Sequence, residues 1–455
     1  MTHYHIWTIG CQMNKAESRR IAGLLTAGGY EEDARLESAD LVILNTCVVR
    51  QSAEDRIIGT LGLLKGIKRE RQDLRIAVTG CFTARDRKAL HKRFPHVDLF
   101  FDAGAYNQLS EWLSAHPLPG AAAPQGLPHD SAGDTPCARA IEADGSAGVS
   151  TYVPIIQGCN NFCTYCIVPY TRGREVSRPI EEIEAEVREL VLRGTREVVL
   201  LGQNVDSFGH DLPGHPDLAE LLMRLQPIPG LLRIRFLTNH PKDMSRRLIR
   251  TMAELDKVCE HIDLALQSGN NDILREMNRG YTVEDYSRLV DEIRAAMPRI
   301  SLSTDIIVGF PGETELQFEE THSTLERLRF DMVHVAAYSP RPGTLAARKY
   351  ADSVPDDVKR SRLHRVEILQ EAVAGQINER YVRGTEDVLV QGRRRGKWFG
   401  RTRTDKLVFF ESEEGLTGQL VQVTIDKASP WALQGTLDYN SHTESRRVHQ
   451  LWVRN

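Results

Sequence analysis

The chain has 455 residues, 41 % hydrophobic and 26 % charged, which is too long for one ordinary core and predicts a soluble protein of roughly two to four domains. Its 58 basic and 62 acidic residues give a net charge of −4, which excludes holding nucleic acid or an acidic membrane by a general positive field. No stretch reaches the roughly 20 apolar residues of a membrane span and no signal peptide is recognisable, so we expect a cytoplasmic location.

The first part of the chain, residues 1–114, alternates short apolar runs with helical patterns. The predicted strands are His5–Ile9, Leu41–Leu44, Arg75–Val78 and Val97–Phe100, and the helical patterns include Ala16–Gly28 and Ala53–Arg71. This alternation indicates an open parallel α/β sheet. A cysteine follows each of the first three strands: Cys11, Cys47 and Cys81. Because the carboxyl ends of parallel strands share one edge, these cysteines can converge. Three scattered core thiols are the alternative.

Residues 115–149 collect prolines among alanines and glycines, which predicts a linker before a central domain at 150–380. Strand–helix alternation then resumes, with helical patterns such as Ile180–Arg193 and Val283–Met297. The predicted strands are Val153–Ile156, Glu197–Leu201, Arg233–Leu237, Ile262–Leu266, Ser301–Val308 and Met332–Ala337. Six βα units without a seventh predict a partial barrel related to the TIM barrel, with its reactive face at the strand carboxyl ends.

The end of the chain changes character after a long helical segment, Pro355–Val382. Short β-rich runs follow at Val388–Gln391, Gly400–Thr404, Leu407–Phe410 and Leu420–Ile425. They predict a small OB-like β-barrel at 381–440, before a polar tail at 441–455.

A local basic stretch lies in this last module. Between Gly392 and Lys406 there is one acidic residue, Asp405, and Trp398 and Phe399 are interleaved with the cations. The basic residues are Arg393, Arg394, Arg395, Lys397, Arg401, Arg403 and Lys406. Cations contact phosphates and exposed aromatic rings stack on unpaired bases, so we predict an RNA-binding surface that includes Trp398. A solvated charge run on a β-hairpin is the alternative.

The strongest local pattern is the C-x3-C-x2-C run of Cys159, Cys163 and Cys166, just after the first strand of the partial barrel. Three thiolates on one loop can bind three irons of a 4Fe-4S cluster and leave the fourth iron without a protein ligand. A zinc knuckle that lacks its fourth ligand, or three buried thiols, are the alternatives; a structural zinc site normally has four ligands.

This loop and its strand resemble the radical S-adenosylmethionine (SAM) enzymes, and the resemblance covers Val153 to about Ala337. It implies a (β/α)6 partial barrel in which Cys159, Cys163 and Cys166 bind a 4Fe-4S cluster. In that superfamily the open iron takes the amino and carboxylate groups of SAM, and one electron cleaves SAM to a 5′-deoxyadenosyl radical. The protein supplies orientation and the exclusion of water.

The N-terminal region is similar to that of the methylthiotransferases, radical SAM enzymes with a second 4Fe-4S cluster. The similarity implies that Cys11, Cys47 and Cys81 hold this auxiliary cluster. Three segments, Thr8–Ser18, Tyr338–Ala347 and Gly400–Glu411, look like one branch, the tRNA-2-methylthio-N6-dimethylallyladenosine synthases, whose last domain is an RNA-gripping TRAM barrel. Ile167–Pro179 is similar across the whole group and does not discriminate.

The resemblance also directs attention to polar residues at the strand ends of the partial barrel. Those predicted to contact SAM are Gln203, Asn204, Gln267, Ser268, Thr304 and Asp305. Capping of helices or bracing of loops is the alternative for each of them. Arg279 either pairs with a carboxylate or phosphate or forms a surface salt bridge. Cys137, in the linker, and Cys259, between a helix and a strand, match no pattern and are interpreted as bystanders.

The family resemblance implies conversion of N6-dimethylallyladenosine, next to the anticodon of tRNA, to its 2-methylthio derivative. One SAM methylates a sulfur at the auxiliary cluster, and a second yields the radical that removes the hydrogen at C2 of the adenine. The expected partners are the tRNA anticodon stem-loop, an electron donor and a sulfur source, with no membrane and a monomeric chain. An anticodon-loop base is unpaired and can be splayed into a pocket.

Other functions stay open at this point. Within the same enzyme class they are methylthiolation of threonylcarbamoyladenosine in tRNA or of an aspartate in a ribosomal protein, because a small β-barrel can also recognise a protein. Outside that class, the chain could be an iron–sulfur protein that binds RNA without catalysis.

Overall fold

The computed structural model describes residues 2–33, 35–48, 51–84, 87–118 and 148–438. Most of the predicted linker at 115–149, including Cys137, and the whole predicted tail at 441–455 lie outside the described residues. Three regions of regular structure follow one another along the chain.

The first region is an open parallel sheet with helices on its faces, as predicted. Its strands are β1 (Thr2–Ile9), β2 (Tyr30–Glu32), β3 (Leu41–Thr46), β4 (Arg75–Gly80) and β5 (Leu99–Phe100). Its helices are α1 (Gln12–Ala27), α2 (Gln51–Glu70), α3 (Arg87–Arg93) and α4 (Tyr106–Ala115). The strand order is β2-β1-β3-β4-β5. The edge strand β2 was not predicted, because three residues are too few to show a period.

The central strand β3 is buried along its whole length. Val42 and Leu44 face one apolar cluster, whereas Leu41 and Ile43 face the other. Burial on both faces explains why this strand is a continuous apolar run in the sequence and not an alternating one.

The second region contains the six parallel strands of the predicted partial barrel. They are β6 (Ser150–Pro154), β9 (Glu197–Leu201), β10 (Arg233–Phe236), β11 (His261–Asp263), β12 (Ser301–Val308) and β13 (Met332–Ala337). The predicted first strand, Val153–Ile156, is divided in the structure: β6 ends at Pro154, and a separate short strand, β7 (Ile156–Gln157), pairs antiparallel with β8 (Val176–Ser177).

Pairing within the partial barrel runs in chain order. β6 pairs with β9, β9 with β10, β11 with β12, and β12 with β13, all parallel. Isolated parallel bridges, among them Asn239 to Leu264, join β10 to β11. In the described part of the chain β6 and β13 are not paired with each other, so the six strands form an open arc.

The helices of this region are α5 (Val168–Thr171), α6 (Ile180–Leu192), α7 (Leu218–Leu225), α8 (Arg246–Glu254), α9 (Asn271–Glu276), α10 (Val283–Ala296), α11 (Glu315–Leu328) and α12 (Leu345–Lys349). Five of them, α6, α7, α8, α10 and α11, pack against the strands in one apolar cluster on the outer side of the arc. Side chains alternate along β9, so Leu200 packs with the helices whereas Leu201 faces the opposite, inner side. On that side Leu201 packs with Met13 and Ala16 of α1. The N-terminal domain therefore covers part of the inner face.

The third region is a closed five-stranded barrel that follows the long helix α13 (Asp356–Glu379). Its strands are β14 (Thr385–Arg394), β15 (Lys397–Arg401), β16 (Leu407–Glu411), β17 (Leu420–Ala428) and β18 (Leu433–Leu437). The predicted run Gly400–Thr404 is wrong at both bounds, because β15 begins at Lys397 and ends at Arg401. β18 was not predicted.

Buried arginines attach this C-terminal barrel to the amino-terminal ends of the partial-barrel strands. Arg233, the first residue of β10, donates to the carbonyl oxygens of Asp387 at 2.8 Å and Arg401 at 2.6 Å. Arg235 donates to Glu197 and, at 2.8 Å, to the carbonyl of Arg403. Since catalytic groups collect at strand carboxyl ends, the C-terminal barrel lies at the end away from the expected reactive face.

Candidate active site

The ends of β1, β3 and β4 are aligned by the register of the sheet. Ile9 is opposite Thr46, and Thr46 is opposite Gly80. Each of these residues is followed within two positions by one of the cysteines Cys11, Cys47 and Cys81, which we call the N-terminal cysteines. A shared strand edge thus brings together three residues that are about 70 positions apart in the sequence, counting from Cys11 to Cys81.

Glycine at the strand ends permits this close approach. A side chain at Gly80, where φ is +96°, would place its Cβ 2.1 Å from the carbonyl oxygen of Thr46. A Cβ at Gly10 would lie 2.9 Å from the Cβ of Cys47. Both positions exclude larger residues for steric reasons.

Asn14 connects Cys11 to the end of β3. Its Oδ1 accepts the backbone N–H of Cys11 at 3.2 Å and lies 3.3 Å from the Cys11 sulfur, while its Nδ2 donates to Asn45 at 2.9 Å. A hydrogen bond with the Cys47 thiol is the main reason that the pKa of Cys11 falls to about 6. Backbone N–H groups at the start of α1 and the charge of Arg172 lower this pKa further. Cys11 is thus prepared as a thiolate, the form that binds metal.

The second set of cysteines lies on the loop Gly158–Cys166, which we call the cluster loop. It leaves β7 and is closed by the antiparallel pairing of β7 with β8. At Gly158 φ is +81° and a Cβ would lie 2.0 Å from the carbonyl oxygen of Arg174, so only glycine fits. Thr164 fixes the far end of the loop, because its hydroxyl donates to the carbonyl of Glu276 at 2.8 Å.

The three thiols of the cluster loop lie near one another. Burial, and then the neighbouring Cys163, raise the pKa of the Cys166 thiol to about 12. Burial likewise raises the pKa of Cys159, with Cys163 adding to the effect. The thiols of Cys159 and Cys166 would therefore need a positive partner before they could ionise here, which a bound metal provides.

Arg279 is a cation directly beside this set. It is 4 % exposed, and it donates to the Cys163 sulfur at 3.3 Å and to the carbonyl of Ala265 at 2.8 Å. It also donates to the hydroxyl of Tyr281 at 2.9 Å. Although burial opposes its charge, the surrounding tyrosines and Cys163 raise the pKa of Arg279. The sequence-based alternative of a surface salt bridge is wrong, because the guanidinium is buried against a thiol.

The donor set fits a cluster better than a single ion. In the described ranges, no three His, Cys, Asp or Glu side chains are placed so that one ion could bind them all. In a 4Fe-4S cluster each cysteine binds a different iron, so the sulfurs surround a larger group. Two sets of three thiols, with no fourth cysteine beside either set within the described ranges, are compatible with clusters that each leave one iron open.

Three of the residues predicted to contact SAM lie at the carboxyl ends of strands. Gln203 accepts the N–H of Gly158 at 2.6 Å and so braces the cluster loop. Asn204 donates to Asp243 at 2.7 Å, but its Oδ1 is buried without a hydrogen-bond partner among the described residues. The same holds for Oε1 of Gln267, whose backbone has φ of +73°. Buried oxygens without partners indicate a polar ligand.

The other three predicted residues differ from one another. Ser268 is fully buried and lies 3.3 Å from Thr321 of α11, and Thr304 donates to the carbonyl of Leu264 at 2.8 Å. These hydroxyl groups brace the scaffold. Asp305 is half-buried, and its carbonyl accepts the N–H of Gln267.

Sequence reasoning missed the residues after β10. Asn239 and His240 are buried there, and Oδ1 of Asn239 and Nε2 of His240 are further polar atoms without partners in the described ranges. The backbone N–H of Lys242 donates to Nδ1 of His240 at 3.3 Å, which leaves the proton on Nε2. Burial, with the charges of Arg279 and Lys242, lowers the pKa of His240 to about 2, so the ring is a neutral donor. The strand-end rule already used for β9 was the available signal.

The predicted RNA surface is smaller in the structure than in the sequence. Trp398 is 7 % exposed and packs in the core of the C-terminal barrel, where its indole N–H donates to the carbonyl of Ser412 at 3.0 Å. The expectation that Trp398 is an exposed stacking residue is therefore wrong. Four of the cations are also paired with carboxylates: Arg401 with Asp405, Arg403 with Glu260, Lys406 with Asp331 and Lys397 with Glu411.

The remaining cations lie on one tight hairpin. Arg395 and Gly396 both have positive φ, at 50° and 84°, which is the two-residue turn that suits a twisted hairpin. Arg393, Arg394 and Arg395 are exposed. A cleft of about 430 Å³ is lined by Arg394, Arg395, Lys397 and Phe409. We call Arg393–Lys397 the basic hairpin.

Comparison with known proteins agrees with this three-part organisation. Family models match the radical SAM superfamily at residues 153–325, the uncharacterised protein family UPF0004 at 3–102 and the TRAM domain at 379–437. A tRNA-2-methylthio-N(6)-dimethylallyladenosine synthase of Dehalococcoides mccartyi is 49 % identical over 437 residues, which are 96 % of this chain and 99 % of that protein. The chain belongs to this synthase family. The same family in Chloroflexus aurantiacus provides a relative that is 46 % identical over 449 residues, 97 % of this chain and 93 % of the relative.

Solved structures support the fold. The radical S-adenosylmethionine methyltransferase TsrM of Kitasatospora setae, solved with cobalamin and a [4Fe-4S] cluster bound, has a TM-score of 0.54 and 16 % identity. The match covers 76 % of this chain and 74 % of TsrM. The described helices of the synthase-family chain include none that is both long and apolar enough to cross a bilayer.

Proposed function

We propose that this chain is a radical SAM methylthiotransferase that converts N6-dimethylallyladenosine, next to the anticodon of tRNA, to its 2-methylthio derivative. The observation that carries the proposal is the placement of two three-cysteine sets on either side of one short segment. Helix α5 of that segment contacts the turn Cys81–Ala84, and Gly173, two residues after the helix ends, accepts the N–H of Cys159 at its carbonyl, at 3.2 Å. Two cysteine sets connected through one short segment suit a reaction that uses a metal cluster at each set.

Each cysteine set has its own role in this proposal. Cys159, Cys163 and Cys166 hold the cluster that binds SAM, and the N-terminal cysteines hold the auxiliary cluster. When bound, the two 4Fe-4S clusters and two SAM molecules per turnover supply the one-electron chemistry and the methylthio group. Three of the six thiols, those of Cys47, Cys81 and Cys163, are buried, whereas Cys159 and Cys166 are half-buried and Cys11 is exposed.

The mouth of the partial barrel supplies the polar contacts. Asn204, Gln267 and His240 present buried atoms without partners in the described residues, and these atoms can hydrogen-bond SAM or the adenine. His240 donates as a neutral ring, so it can orient an acceptor without adding charge. Arg279 fixes the rotamer of Cys163. Held in place by packing, such groups position the reactants before reaction.

The C-terminal barrel grips the RNA in this proposal. The basic hairpin contacts phosphates from the C-terminal barrel, which is attached at the amino-terminal ends of the strands, while the base to be modified enters at their carboxyl ends. An anticodon stem-loop held by its stem can deliver its loop to the mouth.

Mass spectrometry of tRNA nucleosides, from cells with and without the protein, tests the function. The dimethylallyl nucleoside should accumulate and its methylthio derivative disappear when the protein is missing. Accumulation of threonylcarbamoyladenosine, or an unmodified ribosomal aspartate, would instead favour the other methylthiotransferase reactions. The electron donor, the sulfur source, the monomeric state and the cytoplasmic location stay predictions.

A further inference from the structure

The outer surface of the C-terminal barrel carries a pair of aromatic rings beside the basic hairpin. Phe399 on β15 is directly opposite Phe409 on β16, and on its other side it is opposite Gly392 on β14. The neighbouring residues Trp398 and Phe410 are buried in the core of the barrel, whereas Phe399 and Phe409 are half-buried. Because side chains alternate between the two faces of a strand, the pair lies on the outside of the barrel.

The arrangement of the two rings leaves one of them open. Their centroids are 6.4 Å apart and their planes are inclined by 43°, so the rings do not stack face to face. A Cβ at Gly392 would lie 3.4 Å from Cε1 of Phe399, which shows that this ring leans over the glycine of β14. Phe409 is the ring that lines the adjoining cleft. A ring in this position can stack on a planar group.

Cations surround the open ring. Arg394 and Lys397 are opposite each other, two residues nearer the hairpin turn than the aromatic pair, and together with Arg395 they form the rest of the cleft lining. Among the described residues that line the cleft, none is acidic, and the nearby carboxylate of Glu411 is paired with Lys397 at 3.1 Å. The cleft volume of about 430 Å³ lies in the range of about 300–1,000 Å³ that is typical of sites for small organic groups. A nucleotide, with a planar base and a negative phosphate, fits such a lining.

We propose that Phe409, supported by Phe399, is a stacking site for one unpaired base of the tRNA, and that Arg394 and Arg395 hold the phosphates next to that base. The proposal rests on the proposed function, in which the C-terminal barrel binds tRNA. Every base has a π face, so the site selects for an unpaired nucleotide and not for its sequence. The barrel is attached at the amino-terminal ends of the partial-barrel strands, so the stacked base differs from the adenine that enters at their carboxyl ends.

The test measures binding of the full-length chain to a fluorescein-labelled tRNA transcript, by fluorescence anisotropy across a salt series. Phe409→Ala should weaken binding about 5- to 140-fold, which is the effect of losing one aromatic stacking partner. The slope of log K against log salt should stay at the wild-type value, because a ring neutralises no phosphate. Unchanged affinity overturns the stacking site. A shallower slope overturns it as well, because the substitution would then act through the cations.

A blunt-ended, fully paired RNA duplex is the second probe. It offers phosphates to the basic hairpin but no unpaired base, so Phe409→Ala should leave its affinity unchanged. An equal loss of affinity for tRNA and for the duplex would show that the substitution only disturbs the hairpin, and would overturn the proposal.

Trp431→Ala is the matched control. Trp431 is 51 % exposed on the same barrel, in the turn between β17 and β18, where Asn378 of α13 donates to the carbonyls of Ser429 and Pro430. Since β17 runs antiparallel to β14, this turn lies at the opposite end of the barrel from the basic hairpin. Trp431→Ala should bind tRNA with wild-type affinity. A loss equal to that of Phe409→Ala overturns the assignment of the site.

Two further variants keep the proposal open to refutation if Phe409→Ala does not fold. Phe409→Leu keeps an apolar side chain against the barrel but has no ring, whereas Phe409→Trp keeps a ring. The leucine variant should bind tRNA more weakly than the tryptophan variant, and equal affinities overturn the stacking role. A wild-type chain that does not bind tRNA contradicts the proposed function itself.

Discussion

Arg403 in the C-terminal barrel and Glu260 in the partial barrel form an ion pair with Nε 2.8 Å from Oε2, although 143 positions separate them in the sequence. Arg403 also donates to the carbonyls of Asp256 and Val258 at 2.6 Å. One side chain thus makes several charge-assisted hydrogen bonds across a domain boundary. Its role is docking, although in sequence it belongs to the same basic stretch as the residues proposed to bind RNA.

Arg403→Ala should therefore weaken the attachment of the C-terminal barrel. Loss of hydrogen bonds from a charged donor is expected to lower the free energy of unfolding by about 1–3 kcal/mol, measured by urea denaturation. Arg246→Ala, which removes an exposed ion pair with Glu292, is the control and should change the stability by less than about 1 kcal/mol. Equal effects of the two substitutions would contradict a docking role.

The basic hairpin should instead affect RNA binding without affecting stability. Arg394→Glu/Arg395→Glu is expected to weaken tRNA binding, since the two exposed cations can neutralise phosphates. The dependence of log K on log salt should also become shallower, by about 0.7–0.9 per lost contact. Filter binding across a salt series measures both quantities. Arg246→Glu is the control. If the basic hairpin is the contact surface, this substitution should change neither the affinity for tRNA nor its dependence on salt.

Cys163→Ala should abolish formation of 5′-deoxyadenosine from SAM, because the cluster loses one of three protein ligands. Liquid chromatography of the anaerobic reaction detects the product. Cys259→Ala is the matched control: Cys259 is also buried, but it lies at the start of β11 and away from the strand carboxyl ends. If Cys163→Ala still cleaves SAM, the assignment of the radical cluster to the cluster loop is contradicted.

Cys47→Ala should separate the two halves of the reaction. Without one N-terminal cysteine the methylthio product should be lost, whereas some cleavage of SAM continues at the cluster loop. The ratio of 5′-deoxyadenosine to methylthiolated nucleoside measures this uncoupling. A variant that forms the product at the wild-type rate would refute an auxiliary cluster at Cys47.

The sequence predicted those features that depend on the local periodicity of hydrophobic residues. All six barrel strands and the aligned N-terminal cysteines could be found, since each follows a buried strand and parallel strands share an edge. β2, a three-residue edge strand, was missed because so short a run shows little pattern, and β18 was missed although it pairs with β16 and β17 inside the closed barrel. Trp398 was misassigned although β15 alternates, with Trp398 and Gly400 inward and Phe399 less buried. The strand-end rule could have found His240, but its neutral state depends on burial beside Arg279 and Lys242, which the sequence does not show.

Asp206 makes the stability of the fold depend on pH. Burial, reinforced by Asp243, raises its pKa from 3.8 to about 7, although hydrogen bonds from Asn239 and the backbone of His240 oppose the shift. The folded protein therefore keeps a proton that the unfolded chain releases above pH 3.8. The stability that this proton contributes is fully present below that pH and is lost as the pH rises through about 7.

The free energy of unfolding of the apoprotein, measured in urea at pH 5 and pH 8, tests this dependence. Asp206→Asn cannot ionise, so the wild type should lose stability relative to this variant between the two pH values. Asp211→Asn is the control: hydrogen bonds from Ser177 lower the pKa of Asp211 despite some burial, so it does not titrate in this range. That variant should keep the slope of the wild type. If the free energy of unfolding changes equally with pH for the wild type and for Asp206→Asn, the Asp206 carboxyl is already ionised at pH 5. Asn239 and His240 would then be hydrogen-bonded to a carboxylate and not to a neutral acid.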